Sequence, residues 1–202
     1  GVFVSGCDKV AEYFYGGAYC LVDLSKGNRT VETGPSPKQQ EKIVREALLA
    51  TFNYPYCPEL KPLLEGGLPL QKAMTEYRAN RAGKTVEDVK SWLAQQPSSW
   101  ASETGIQSTL DACNQQLVRE SLLRVFSVER QQTPALTNFL IDPSQGPMSC
   151  GLTLLQAIPG VERSPTAFDA KLRNEKSRFY DSCGIKAFLD NWKAEEEERR
   201  RQ

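Results

Sequence analysis

The sequence predicts a mostly α fold: a disulfide-stapled single helical domain of roughly six to eight helices, with a short strand near the N-terminus. Three observations lead there. Helix-start signals recur along the chain, each followed by apolar residues at three- and four-residue spacing. The segments between them are short and marked by proline or glycine, as where helices are joined by brief turns. Six cysteines are dispersed along the 202 residues with no C-x-x-C pair. That spacing reads as a disulfide framework rather than a zinc or iron–sulfur site.

Residues 1–35 are expected to form an N-terminal arm packed on a helical domain of residues 36–202. Val4-Ser5-Gly6-Cys7 resembles a bacterial lipobox, in which Cys7 would carry lipid and tether the chain to a membrane. The alternative is a disulfide from Cys7, with Cys20 as a candidate partner. Ala18 to Leu24 reads as a short strand, or as part of a helix broken at Gly16-Gly17. The polar loop that follows holds the sequon Asn28-Arg29-Thr30, of consequence in a eukaryotic secretory chain.

Ser36-Pro37-Lys38-Gln39 combines a capping serine, a first-turn proline and a glutamine three residues on. Ile43, Val44, Ala47, Leu48 and Phe52 continue it as one apolar stripe, and Pro55 and Pro58 end it near Asn53. Pro69 to Ala82 is a second helix, stopped by Gly83. Thr85, with Asp88 three residues on, opens a third that ends at Pro97-Ser98-Ser99. A long helical region runs from about Ser102 to Gln131, with Gln116 as the place for a break and a strand over Leu123 to Val128 as the weaker alternative. Thr133-Pro134 starts a short helix to Leu140, Asp142 to Gly151 is a loop, and Leu152 to Ile158 is apolar. Ser164-Pro165 starts a helix carrying Phe168, Leu172 and Phe179, and a last helix runs from Gly184 to the end. Ser149-Cys150-Gly151-Leu152 and Ser182-Cys183-Gly184-Ile185 echo each other, which places both in one corner of the fold. Cys7, Cys20, Cys57, Cys113, Cys150 and Cys183 are all disulfide candidates, and their pairing stays open.

Composition excludes much chemistry. Histidine is absent, so the usual general base, the commonest metal ligand and every Ser-His or Cys-His arrangement are missing. Basic and acidic residues balance at 25 each, which gives no pull toward nucleic acid or anionic lipid. No apolar run approaches the roughly 18 residues that span a bilayer. No phosphate-binding or nucleophile-elbow motif occurs, and no cofactor or metal is expected.

The densest apolar periodicity, Leu117 to Val128, ends at Glu129, a carboxylic acid at the edge of apolar surroundings. Such an environment favours the protonated form that a general acid needs. Gly151-Leu152, then Gln156 and Pro159, follow after a polar loop. From about Leu122 to Pro159 the chain resembles the soluble lytic transglycosylases and goose-type lysozymes. The resemblance implies an all-α, extracytoplasmic protein with Glu129 as catalytic acid and Gln156 and Tyr180 lining a sugar cleft. Tyr180-Asp181 would stand for the family's later Tyr-Asn pair. This chain departs from the pattern: Arg130 occupies the place of the serine after the glutamate, and Glu120-Ser121 keeps that pair only farther back. Asp142 and Asp181 are the candidates for a second acid.

The expected function is that of a non-catalytic interaction protein of the periplasm or outer envelope. An immunity or inhibitor protein, or an accessory subunit of a secretion or cell-wall assembly, would bind a protein partner there. The alternative is a peptidoglycan-cleaving enzyme built on Glu129. A second alternative is a secreted eukaryotic effector or ligand carrier.

Overall fold

The computed structural model describes residues 2–4, 10–15, 18–23, 32–80, 85–126 and 134–202. Cys7, the Asn28-Arg29-Thr30 sequon, Gly83, Glu129, Arg130 and Thr133 lie outside the described residues. Within them the chain is mostly α, with eleven α-helices and one four-stranded sheet. Two disulfides, Cys57–Cys113 and Cys150–Cys183, staple it. The helices are shorter and more numerous than expected because single residues interrupt the periodic runs. Gly67, Gly105 at φ 82° and Gly184 at φ 88° divide what the apolar pattern alone would join.

The sheet is antiparallel in the order β1-β2-β3-β4: β1 (Val2–Val4), β2 (Val10–Tyr15), β3 (Ala18–Asp23) and β4 (Glu32–Pro35). The strand expected from Ala18 is β3, with Cys20 opposite Tyr13 on one side and Thr33 on the other. β1 and β2 come from valine- and aromatic-rich runs suited to a pleated surface.

Contacts divide the chain into two compact units, residues 1–53 with 61–106, and residues 54–60 with 107–202. The division does not fall at the expected 35/36 boundary, since β4 passes through Ser36 straight into the first helix.

In the first unit, α1 (Pro37–Phe52) starts with the capping box its sequence announces. The Gln39 N–H donates to Ser36 Oγ at 3.4 Å, and the Ser36 N–H to Gln39 Oε1 at 2.8 Å. Two orphan donors are satisfied reciprocally. α2 (Leu60–Gly66) and α3 (Leu68–Asn80) meet at Gly67, where any Cβ would lie 2.6 Å from the Leu63 carbonyl oxygen. Thr85 and Asp88 repeat the capping box at α4 (Val86–Ala94), by bonds of 3.0 and 3.2 Å. α1 packs on α3 and α4 and buries Val44, Ala47 and Leu48. Pro97 caps the unexpected α5 (Ser98–Glu103), whose buried Trp100 stacks on Phe52 with ring centroids 6.1 Å apart.

The second unit is organised along α6 (Ile106–Phe126), which runs unbroken through Gln116 and stays helical to Phe126. Leu117, Val118, Leu122, Val125 and Phe126 form its buried face. Around it lie α7 (Pro134–Ile141), α8 (Gly146–Gln156), α9 (Pro165–Asn174), α10 (Lys176–Ser182) and α11 (Ile185–Arg201). The loop expected over Asp142 to Gly151 is a correction: helix begins at Gly146, because Pro147 in the first turn starts a helix as readily as it ends one. Ser164 caps α9 as expected, its hydroxyl accepting the Ala167 N–H at 3.1 Å. Phe139 stacks on Phe188 at 4.4 Å and docks α7 with α11. Beyond the half-buried Trp192, α11 is solvated and held by pairs such as Arg200–Glu196 and Arg201–Glu197. Among the described residues no helix is long and apolar enough to cross a membrane.

Cys57–Cys113 ties the segment before α2 to α6, with Cα atoms 5.5 Å apart across 56 positions of sequence. Cys150–Cys183 joins the two echoed Ser-Cys-Gly segments, one inside α8 and one at the corner between α10 and α11, Cα atoms 6.3 Å apart. Gly146 makes that corner tight, since a Cβ there would collide with the Cys183 carbonyl. Each bridge removes on the order of 4 kcal/mol of unfolded-chain entropy at most, a large part of a typical stability of about 5–15 kcal/mol. Reduction is therefore expected to lower the melting temperature sharply, and non-reducing peptide mapping should recover both pairs. Gly146→Ala should cost about 1–3 kcal/mol in urea unfolding through overpacking. Gly66→Ala, with nothing within 4 Å of its Cβ, should be neutral or gain about 0.5 kcal/mol through helix propensity.

Candidate functional site

A concavity of the second unit is lined by polar residues of α6 and α8. Asp111, Asn114 and Gln115 share one face of α6, at spacings of three and four. Leu152, Leu155 and Gln156 line it from α8, and Arg163 closes it from the segment before α9. Its volume is about 190 Å³, below the roughly 300–1,000 Å³ of sites for drug-sized ligands. A long sugar chain has no room there. A single side chain or a small molecule does.

The walls are held from behind. Gly151 faces Val118, and a Cβ on it would sit 2.5 Å from Val118 Cγ1, so α8 approaches α6 as only a glycine permits. Gly160 is equally close to the ring of Tyr54, where a Cβ would lie 2.9 Å from Cε1. Arg163 Nε donates to the Ile158 carbonyl at 2.9 Å, and its Nη1 to the Tyr56 hydroxyl at 3.4 Å. That hydroxyl in turn donates to Asn114 Oδ1 at 3.1 Å. Tyr56 thus couples the guanidinium to α6, and Cys57–Cys113 anchors the same two segments one residue away on each side. Among the described residues, neither Arg163 nor Asp111 has an ion-pair partner.

The other expected site residues separate. Gln156 lines the cleft. Tyr180 does not; it packs edge-on against Phe126 at the margin of the core, centroids 5.8 Å apart. Glu129 lies outside the described residues. Glu120 is half-exposed on α6, accepting from Gln116 at 2.7 Å and pairing with Arg124 at 3.6 Å. Asp181 is exposed on α10. Asp142 accepts both the N–H and the hydroxyl of Ser144, and the backbone bond chiefly holds its carboxyl below the usual range, the reverse of what a general acid requires.

Ser121 and Asp169 are buried polar residues that belong to structure. Arg124 donates from Nε and Nη2 to the two oxygens of Asp169, at 2.9 and 3.2 Å, and from Nη2 to Ser121 Oγ at 2.9 Å. Burial pushes the Asp169 carboxyl up. The hydrogen bonds from Arg124 and Ser121 and the charges of Arg124 and Arg173 outweigh it, so the net shift is downward. The group with three metal-ligand atoms within 4.8 Å is Cys57, Glu59 and Cys113. Its sulfurs are joined to each other and offer no thiolate to a metal.

Tyr56, Asp111, Asn114 and Arg163 were missed in the sequence. Asp111, Asn114 and Gln115 did carry a signal, a polar stripe at three- and four-residue spacing beside Cys113. Tyr56 and Arg163 carried none, because 107 positions of sequence separate them. No protein-family model, no curated protein and no solved structure matches this chain.

Because the folded Asp169 is harder to protonate than the unfolded one, its network contributes fully above the ordinary aspartate value of about 3.9 and is lost as pH falls through the lower folded value. Stability should therefore drop in that acid window, and Asp169→Asn should flatten the drop. At neutral pH the substitution should cost about 1–2 kcal/mol in urea unfolding, kept modest by solvent around the Arg124 end.

Proposed function

We propose that this chain acts outside the cytoplasm, in the periplasm or outer envelope, as a non-catalytic interaction protein of the immunity, inhibitor or accessory-subunit kind. The observation that carries the reading is Arg163, oriented by Tyr56 and Ile158 at a disulfide-braced cleft yet free of any ion pair among the described residues. A cation positioned in this way is suited to recognition, since its charge is left for a partner. Two disulfides support an oxidising compartment. Tethering through a lipid on Cys7 belongs to the same reading.

The competing reading is a peptidoglycan-cleaving enzyme with Glu129 as its acid. Digestion of purified peptidoglycan by the oxidised protein, followed by mass spectrometry, separates the two. No muropeptide release is expected from wild type or from Glu129→Gln. Anhydro- or reducing-end products from wild type that vanish in Glu129→Gln would overturn the non-catalytic reading.

A further inference from the structure

We propose that the cleft of the second unit receives a small zwitterion, an α-amino acid, with Arg163 taking the carboxylate and Asp111 the ammonium group. This goes beyond the protein-partner reading above and rests on only one part of it, that the cleft binds without transforming.

Four observations carry it. First, the cleft holds one cation and one anion that do not neutralise each other or any other described residue. Asn114 is one helical turn from Asp111 and is joined to Arg163 through the Tyr56 hydroxyl. A ligand of one sign would meet repulsion from the opposite wall; a ligand carrying both signs meets attraction from each. Second, both groups are oriented with donors or acceptors to spare. Arg163 spends Nε on Ile158 and one bond of Nη1 on Tyr56, so Nη2 keeps both its hydrogens for a carboxylate. Asp111 Oδ1 accepts from Gln107 Nε2 at 2.7 Å, which fixes the carboxylate and leaves Oδ2 open. Third, the amides of Gln115 and Gln156 offer both donors and acceptors at the rim, while Leu152 and Leu155 offer an apolar wall. Fourth, about 190 Å³ suits one amino acid and excludes a folded segment or a sugar polymer.

The test is isothermal titration of the purified, oxidised chain with the protein amino acids one at a time, in L and D form, with the ligand recovered and weighed by mass spectrometry. At least one should bind saturably and return unchanged. For L-leucine, as the worked case, the single-charge analogues are 4-methylpentanoate and 3-methylbutylamine. For whichever amino acid binds, the corresponding acid and amine should each bind about tenfold or more weakly, the loss expected for one charge-assisted hydrogen-bond set. Arg163→Gln and Asp111→Asn should weaken binding by a similar factor. Asp111 is exposed, so its variant should keep the wild-type melting temperature and read the site alone. The proposal is overturned if no amino acid saturates, if an acid or amine binds as well as the zwitterion, or if Asp111→Asn binds like wild type. An amino acid that binds but returns chemically altered supports the site and overturns only the non-catalytic reading.

Discussion

One missing side chain sets the second unit. With hydrogen in place of a methyl at Gly151, α8 lies against Val118 of α6 at a separation that any other residue would forbid. The contact draws Leu154 and Leu155 into the same core as Leu117 and Leu122, where each buried leucine contributes about 1.5–3 kcal/mol. Beyond Gly151, Asp111 on one helix and Gln156 on the other line the cleft. Packing and site are thus two ends of one helix crossing. The second disulfide makes the crossing durable by holding α8 through Cys150, the residue before the glycine.

Much of the scaffold was legible because it is written locally. The Ser36–Gln39 and Thr85–Asp88 boxes form with both bonds in place, since a capping box needs only residues three apart. Ser164 caps its helix for the same reason. The echo of two Ser-Cys-Gly segments points to one corner of the fold, and the Cys150–Cys183 bridge joins them there, although Cys150 lies inside α8 and not in a turn. What failed locally failed at ambiguous punctuation. Gly146-Pro147 reads as loop, yet proline in a first turn starts a helix as well as following one, and α8 begins there. Gln116 is a place where the helix could break, yet α6 runs through it unbroken.

The site was legible only in part, and the reason is distance along the chain. Gln156 could be named because a resemblance drew attention to its segment. Tyr180 was named with it and lies against Phe126 instead, since an aromatic beside an apolar helix has a core to fill. Arg163 and Tyr56 could not be paired from the sequence at all. Their meeting depends on the segments that close around Gly160 and on the disulfide that holds the residue after Tyr56 to α6. Long-range polar contacts leave no periodicity behind, so the chemistry of a cleft is the last thing a sequence discloses.

Two arginines make the distinction between structure and recognition concrete. Arg124 is spent: both oxygens of Asp169, the hydroxyl of Ser121 and the carboxylate of Glu120 surround it. Its charge is balanced within the fold, and its removal would leave a buried carboxylate unpaired. Arg163 is held as firmly in direction, by a carbonyl and a phenol, yet both partners are neutral. A neutral partner orients a guanidinium without consuming its charge. A fold that needed this cation only for stability would gain more by placing a carboxylate beside it, and Asp111 lines the same cleft without closing the pair. Keeping the two charges apart leaves a polarised space between them, and a ligand with matching poles is what gives that separation a use.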